Sequence, residues 1–206
     1  MTNELNLYII RHGETDYNKR GIVQGKGIDS DLNEIGISQA QSFYNAYHNI
    51  PFDVIYTSTL KRTHQTVAPF LKHTINHETR EELDEIDWGI YEGKAVQNDF
   101  HDEYKKVTEL WKKGEIDLRI DGGDSPQDLK IRQQSFIDST LYNSSQNNVL
   151  ICMHGRALRI FLCTLLNQDL ATMDEFPHQN LSLYKLQRKD NLFSIDLFND
   201  TSHLDE

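Results

Sequence analysis

An arginine and a histidine follow a short apolar run near the start of the chain. Leu5 to Ile10 is mostly apolar and bounded by polar residues, as expected of a buried strand, and Arg11-His12-Gly13 comes directly after it. Gly13 allows a sharp backbone turn beside the imidazole. We therefore take His12 as a candidate nucleophile for a phosphoryl group and Arg11 as a ligand for its oxygens. From this stretch alone, a strand that ends in solvated polar residues is an equal alternative.

Two further basic positions follow other predicted strands. Phe52 to Thr57 is the second predicted strand, with Arg62 in the first turn of the next helix, and His154-Gly155 follows a strand from Asn148 to Met153. Ligands of open α/β sheets bind at the carboxyl ends of the strands, where helix N-termini point backbone donors at anions. Taken singly, Arg62 is explained as a solvated helix residue and His154 as a turn residue. Together with the first pair they predict an anion site.

Strand and helix signals alternate along the chain, so that the predicted class is α/β with a mainly parallel sheet. Two stretches, 16–30 and 80–93, are predicted to be irregular. The predicted helices run from about Glu34 after an Asn33 cap, from a Ser58 or Thr59 cap to about Lys72, from Lys94 to Lys113, from Ser125-Pro126-Gln127-Asp128 to about Asn143, and from Arg156 to Leu166, and two closing strands cover Leu181–Gln187 and Leu192–Phe198.

Composition and charge exclude several classes of protein. The 206 residues are 37% hydrophobic and 26% charged, with a net charge of −11 and two cysteines. This predicts one domain over 1–206 with a flexible tail at 199–206, and no membrane-spanning run or secretory signal. The acidic charge argues against nucleic-acid and anionic-membrane partners, and the few cysteines favour a cytoplasmic location.

The motifs also resemble a known family. Arg11-His12-Gly13-Glu14-Thr15 looks like the signature of the histidine phosphatase superfamily, also called phosphoglycerate mutase-like. Similarity continues in order from residue 7 to about 185, which is far more specific than one Arg-His-Gly. The further matches are Asn18, Gln24-Gly25, Leu32, Gly36 and Gln39-Ala40, then Phe52 to Ser58 with Leu60, Arg62-Thr63 and Gln65-Thr66, then Leu83, Glu85, Gly89 and Glu92-Gly93, then Gly122-Gly123-Asp124-Ser125 (with Asp for the usual Glu), His154-Gly155 and Asn180.

This resemblance implies a fold and a set of roles. The fold would be a three-layer α/β/α sandwich with a helical cap segment inserted at about 94–121. His12 would be phosphorylated and then hydrolysed, while Arg11, Arg62 and His154 form the phosphate pocket. Glu85 would protonate the leaving group and later activate water. Without the family spacing, any of its acidic neighbours could be that acid, namely Glu81, Glu82, Asp84 or Asp87.

Four further residues are implied as ligands of phosphate or substrate: Asn18, Gln24, Gly25 and Gly155. Asn18 and Gln24 are equally explained as residues that cap their loop. Arg156 and Arg159, three apart after the second histidine, are predicted either to contact a second anionic group of the substrate or to be solvated or paired with carboxylates. No metal or cofactor is expected, since His73 and His77 lack a third ligand. The remaining histidines are assigned to the surface, namely His48, His64, His101, His178 and His203, and Cys152 is assigned to packing.

Three functions remain open at this point. The first is a metal-independent phosphomonoesterase for a small phosphorylated metabolite. The second is a mutase of the phosphoglycerate mutase type; members of that kind usually have serine and tryptophan where this chain has Thr15 and Tyr17, and they are longer. The third is a non-catalytic phosphate-binding protein, which would need neither a nucleophile nor an acid.

Overall fold

A six-stranded mixed sheet forms the centre of the molecule. The computed structural model describes residues 4–72, 74–95, 101–142 and 144–204. Four strands are parallel and two antiparallel strands extend one edge, in the order β3-β2-β4-β1-β5-β6. The predicted α/β class with a mainly parallel sheet is confirmed. The strands are β1 (Leu5–Arg11), β2 (Val54–Thr57), β3 (Asn76–Thr79), β4 (Asn148–Met153), β5 (Leu183–Lys189) and β6 (Leu192–Asp200).

Helices cover both faces of the sheet, because the side chains of each strand alternate between two hydrophobic clusters. Leu7 and Ile9 pack with side chains of the fifth and sixth helices, whereas Tyr8 and Ile10 pack with those of the second and third. No helix among the described residues is both long and apolar enough to cross a membrane. The helices are α1 (Asp16–Lys19), α2 (Glu34–Tyr47), α3 (Lys61–Val67), α4 (His101–Lys112), α5 (Pro126–Phe136) and α6 (Gly155–Leu165).

Helix starts show where local sequence decides the structure. At α5, Ser125 accepts a hydrogen bond from the Asp128 amide and Asp128 accepts one in return, with Pro126 in the first turn, as predicted. Asn33 caps α2 as predicted. The predicted hydroxyl cap of α3 is wrong: Leu60 is its N-cap, without a side-chain hydrogen bond. Ser58 Oγ instead accepts from the Leu60 amide at 3.2 Å, ahead of the helix, and contacts His154 Nε2 at 2.8 Å.

Several other predicted boundaries are corrected. The predicted loop 16–30 contains α1, and the strand β3 was missed because its four residues, Asn-His-Glu-Thr, are polar. Lys94 and Ala95 are not helical, and residues 96–100 of the predicted cap helix lie outside the described residues. The α-helix predicted to reach Asn143 ends at Phe136 and continues as a wider turn over 137–141, with Asn143 itself outside the described residues. The predicted tail is wrong over 199–204, since β6 extends to Asp200 and Ser202–Leu204 form a 3₁₀ turn.

Candidate active site

The carboxyl ends of β1, β2 and β4 bring the predicted basic residues together. Arg11 and His12 end β1, Arg62 lies in the first turn of α3 after β2, and His154 directly follows β4. The rings of His12 and His154 have centroids 5.2 Å apart, and Arg62 Nε donates to His154 Nδ1 at 3.1 Å. Nine of the eleven α6 residues are buried, so packing against the core fixes the position of the helix that begins after His154.

His12 has one ring nitrogen occupied and the other available. Its Nδ1 donates to the Gly13 carbonyl oxygen at 2.7 Å, because a carbonyl can only accept. Burial, Arg62 and Arg11 hold the pKa of His12 well below its ordinary value, so the ring is neutral at pH 7. Nε2 therefore carries a lone pair, as a nucleophile requires.

Arg11 supplies an unused donor next to this nucleophile. Its Nε is buried and has no hydrogen-bond partner among the described residues, while Nη1 donates to His178 Nδ1 at 3.3 Å. Burial lowers the pKa of Arg11 to about 10, and the side chain remains charged at neutral pH. A buried donor without an acceptor is costly in free energy, and Arg11 itself lines the cavity with His12.

Arg62 holds other parts of the site in place. It is fully buried and does not line the cavity next to His12. Besides its bond to His154, Nη1 donates to the Ile28 carbonyl at 2.6 Å and Nη2 to the Gly25 carbonyl at 3.3 Å. Its direct contribution to binding is therefore limited to the second proton of each Nη group.

His154 is neutral and held at both ring nitrogens. Because Arg62 can only donate, His154 Nδ1 is the acceptor and Nε2–H faces Ser58 Oγ at 2.8 Å. Burial and Arg62 hold the pKa of His154 well below its ordinary value. The ring can therefore donate a hydrogen bond from Nε2 to an anion or to Ser58.

Glu85 is distinguished from the neighbouring acids by its contacts. Its side chain is 6% exposed and lines the cavity with His12. Oε1 accepts from the amides of Ile86 (2.9 Å) and Ala157 (2.8 Å), and Oε2 accepts from the amide of Arg156 (3.1 Å). Glu85 thus caps α6, whose N-cap residue makes no side-chain cap bond. These donors fix the position of the carboxyl group beside the cavity.

The other candidate acids have structural contacts or lie elsewhere. Asp84 accepts from the backbone amide and hydroxyl of Thr59, and Asp87 accepts from the Gly89 amide. Glu81 is exposed and Glu82 partly so, in a 3₁₀ turn before the site. Of these five acids, Glu85 alone lines the cavity with His12.

A cavity of about 590 Å³ opens next to these groups. Asn18 lines this cavity. Its Oδ1 accepts from the Thr15 amide at 3.2 Å and from Asn180 Nδ2 at 3.1 Å, which leaves its own Nδ2 to donate to a ligand. Gln24 is braced at both ends, by Thr15 Oγ1 at 2.7 Å and Ser30 Oγ at 2.6 Å. The lining residues are Arg11, His12, Asn18, Gly21, Ile22, Val23, Gln24, Glu85, Trp88, Tyr104, Gly155, Arg156, Arg159, His178 and Asn180.

The two glycines predicted as ligands, Gly25 and Gly155, lie where any larger side chain would clash. A Cβ on Gly25 would lie 2.1 Å from Glu92 Oε1, and a Cβ on Gly155 would lie 2.7 Å from His178 Cε1. Gly25 is thus needed for close packing, and its carbonyl accepts from Arg62. Gly155 allows His178 to pack against the start of α6.

Sequence reasoning missed several lining residues. The surface assignment of His178 is wrong, since it lines the cavity and accepts from Arg11. His203 is buried as well, at 7% exposure. Trp88 was not identified as a cavity wall either; it packs on Tyr104 of the predicted cap segment, with ring centroids 5.1 Å apart. No motif or periodicity marks His178 or Trp88, because it is the tertiary fold that brings them to the cavity.

Metal-ligating side chains are not clustered in the part of the chain that the structure describes. It contains no group of three or more His, Cys, Asp or Glu residues arranged to hold a metal ion. His77 contacts Thr57 Oγ1 at 3.0 Å, and His73 lies outside the described residues. Cys152 is fully buried in the core, in agreement with a packing role.

The neutral buried histidines predict a pH-dependent stability. The unfolded chain protonates His12 and His154 below about pH 6.5, whereas the native state does not, because their pKa values are lowered. The free energy of unfolding should therefore fall with decreasing pH between 6.5 and 5.5, by about 1 kcal/mol per pH unit for each ring. Urea unfolding at several pH values measures this slope. In His12→Gln this slope should be smaller by about 1 kcal/mol per pH unit, the contribution of one ring. An unchanged slope would contradict the neutral state assigned to His12.

The carboxyl ends of the parallel strands of this α/β protein thus carry buried imidazoles, guanidiniums and a carboxyl group. The family model of the histidine phosphatase superfamily (branch 1) matches residues 7–201. Phosphoserine phosphatase 1 of Hydrogenobacter thermophilus is 28% identical over 201 residues, which are 97% of this chain and 94% of the relative. A protein of Yersinia pestis named probable phosphoglycerate mutase is 31% identical over 213 residues, 98% of this chain and 95% of the relative.

A solved relative agrees in three dimensions. The crystal structure of phosphoserine phosphatase from Entamoeba histolytica in complex with 3-phosphoglyceric acid has a TM-score of 0.82 and is 26% identical, with 97% of this chain and 99% of that chain covered. This chain belongs to the histidine phosphatase superfamily.

Proposed function

We propose that this protein is a metal-independent phosphomonoesterase that hydrolyses a small phosphorylated metabolite through a phosphohistidine on His12. The observation that carries the proposal is the neutral His12 ring, fixed by Gly13 and exposed at Nε2 to the cavity that Arg11 and Glu85 also line. A binding protein would need the cationic groups but neither a nucleophile nor an acid. The names of the relatives, phosphoserine phosphatase among them, support a small substrate.

The first step transfers the phosphoryl group to the protein. His12 Nε2 forms a bond to phosphorus while the bond from phosphorus to the ester oxygen breaks. Arg11 and Arg62 stay positively charged throughout, and they stabilise the charge on the transferring oxygens. His154 adds a neutral donor.

Glu85 supplies the proton that the departing alkoxide needs. In the empty site three backbone amides donate to its carboxyl oxygens and fix their position. Glu85 enters this step protonated. The proton moves from Glu85 to the leaving oxygen as the ester bond breaks.

The second step returns the protein to its starting state. Water attacks phosphorus, the bond to His12 Nε2 breaks, and Glu85, now ionised, takes the proton from water. Phosphate leaves with His12 neutral and Glu85 protonated, as both were before the first step, and the amides of Arg156 and Ala157 still contact Glu85.

A mutase would pass the phosphoryl group from His12 back to the substrate. The 31% identical relative named as a phosphoglycerate mutase makes this the second candidate. Thr15 and Tyr17 depart from the mutase pattern and favour hydrolysis. Incubation with 3-phosphoglycerate and a bisphosphorylated primer separates the two: we expect free phosphate to dominate, and accumulation of an isomerised phosphoglycerate would support the mutase.

Metal independence gives a direct test. Hydrolysis of p-nitrophenyl phosphate should be unchanged by excess chelator, because His12, Arg11 and Glu85 supply the nucleophile, the charge and the proton. Phosphate release after dialysis against EDTA, compared with dialysis against buffer alone, measures this. An activity that is lost with EDTA and restored by a divalent cation would rule out the proposed chemistry.

A further inference from the structure

One end of the cavity carries two arginines that the proposed chemistry does not use. Arg156 and Arg159 lie three residues apart in α6, and both pair with Oδ1 of Asp174, Arg156 through Nη1 at 2.7 Å. Arg159 Nε also donates to the Phe176 carbonyl at 3.0 Å. The expected pairing with a carboxylate is thus present, but it uses only part of each guanidinium.

Several donors of this pair remain unused. Among the described residues, Nε and Nη2 of Arg156 and Nη2 of Arg159 have no hydrogen-bond partner. None of them is a buried, unsatisfied atom, so they are open to the cavity that both residues line. Arginine presents such donors in a planar fork that fits a carboxylate.

Packing fixes Arg156 in place. Its side chain is only 8% exposed, and its guanidinium carbon lies 5.8 Å from the Trp88 ring centroid and 5.6 Å from that of Trp111. The fully buried Trp111 is itself tied down by a bond from Nε1 to the Leu118 carbonyl at 2.8 Å. An immobilised guanidinium loses little conformational entropy when it binds an anion.

His178 adds a neutral donor between the two ends of the cavity. Its Nδ1 accepts from Arg11 Nη1, and burial together with Arg11, Arg159 and Arg156 lowers its pKa to about 2. The proton of the neutral ring is therefore on Nε2, for which the described residues offer no acceptor. This N–H can serve an oxygen of a bound molecule.

Charge balance indicates what kind of group fits. With Glu85 protonated, Arg11 and Arg62 offset the two negative charges of a phosphate group. At the other end Arg156 and Arg159 share the single carboxylate of Asp174, and Lys112, 3.8 Å from Asp174, is already paired with Glu109 at 3.0 Å. One positive charge is left over, which suits a carboxylate better than a second phosphate dianion.

We infer that Arg156, Arg159 and His178 Nε2–H form a subsite for a carboxylate on the leaving group, so that the substrate is a phosphate ester of a small hydroxy acid. The inference rests on the proposed function, because it concerns the same cavity. The backbone amide of Arg156 binds Glu85 while its guanidinium faces the cavity, which places the subsite beside the proton donor. Trp88 and Tyr104 form a wall for the carbon skeleton.

A pair of matched substrates tests the subsite in the wild-type protein. 3-Phosphoglycerate and glycerol 3-phosphate differ in one group, a carboxylate against a hydroxymethyl. We expect kcat/KM to favour the acid by about 10- to 100-fold, the range for a charge-assisted hydrogen-bonded pair. Equal values for both would overturn the inference. A preference for propane-1,3-diol bisphosphate over the acid would also overturn it, in favour of a second phosphate.

Two cavity variants with opposite expected effects on the ratio of the two kcat/KM values separate a loss of carboxylate binding from a loss of structure. Arg156→Gln should reduce the ratio of the two kcat/KM values about 10-fold or more, and the same substitution at the exposed Arg119, which pairs with Asp128, should leave the ratio unchanged. Asp174→Asn should raise the ratio, since it removes the competing negative charge. A loss of structure would instead lower both rate constants together. A ratio that stays unchanged in both cavity variants would overturn the inference.

Failure of the subsite and failure of the proposed function give different results. If p-nitrophenyl phosphate, glycerol 3-phosphate and 3-phosphoglycerate all release no phosphate, the proposed function is wrong. If all are hydrolysed without a preference that depends on Arg156, only the carboxylate subsite is wrong.

Discussion

His12→Ala is expected to abolish phosphate release, with a loss of at least about 10⁴-fold in kcat, because the proposed phosphorylated intermediate forms on this ring. A rapid quench with ³²P-labelled substrate should trap label on the wild-type protein in a bond that is labile in acid and stable in alkali. The variant should carry no such label. The small alanine leaves a gap next to His154 but removes no bond beyond that from Nδ1 to Gly13.

The matched control is His48→Ala, which changes an exposed histidine whose ring contacts the Asn45 carbonyl and the Tyr44 ring, away from the cavity. It should retain both the label and the rate. Label that persists in His12→Ala, in the same acid-labile form, would show that another residue is the nucleophile.

Glu85→Gln is expected to impair substrates according to how much their leaving group needs a proton. For an alkyl phosphate such as glycerol 3-phosphate, the loss in kcat should be about 10² to 10⁴-fold, the range for general acid catalysis. For p-nitrophenyl phosphate, whose leaving group is stable as an anion, the loss in the first step should be about 10-fold or less. Single-turnover kinetics isolate that step, because the second step also uses Glu85.

The same substitution carries a structural cost that has to be separated from the chemistry. Glutamine keeps one oxygen for the Ile86 and Ala157 amides, but its amino group cannot accept from the Arg156 amide. The free energy of unfolding should fall by about 1 to 2 kcal/mol, which urea unfolding measures. Glu81→Gln, at an exposed position of the same acidic run, should change neither kcat nor the free energy of unfolding. Equal losses for both leaving groups in Glu85→Gln would assign Glu85 to binding.

The fold was predictable where burial or local chemistry marks the sequence. β1 and β4 are near-continuous apolar runs, and the Ser125–Asp128 capping box fixes the start of α5. β3 has no apolar signal because its side chains are half exposed at the sheet edge. The start of α3 was misplaced because Ser58 Oγ bonds the Leu60 amide ahead of the helix. It also contacts His154, a residue 96 positions away, and no local pattern records that contact.

The candidate site was predictable to the extent that it follows ordered motifs. His12, Arg11, Glu85 and His154 lie together as the resemblance implied, and their catalytic roles remain predictions. The position of Arg62 behind the cavity wall could not be inferred, since its partners are carbonyl groups of a loop. His178 carries no motif, and only the fold brings it to Arg11.

The backbone and the side chain of Arg156 make separate contacts, one with Glu85 and one with the cavity. Its main-chain N–H holds the proton donor, and any residue except proline offers that same N–H. Its side chain, by contrast, lines the cavity. Exchanges at this position can therefore redirect the protein toward a different ester while the phosphoryl chemistry is inherited intact. Diversification of this scaffold toward new metabolites would need only single steps through active intermediates.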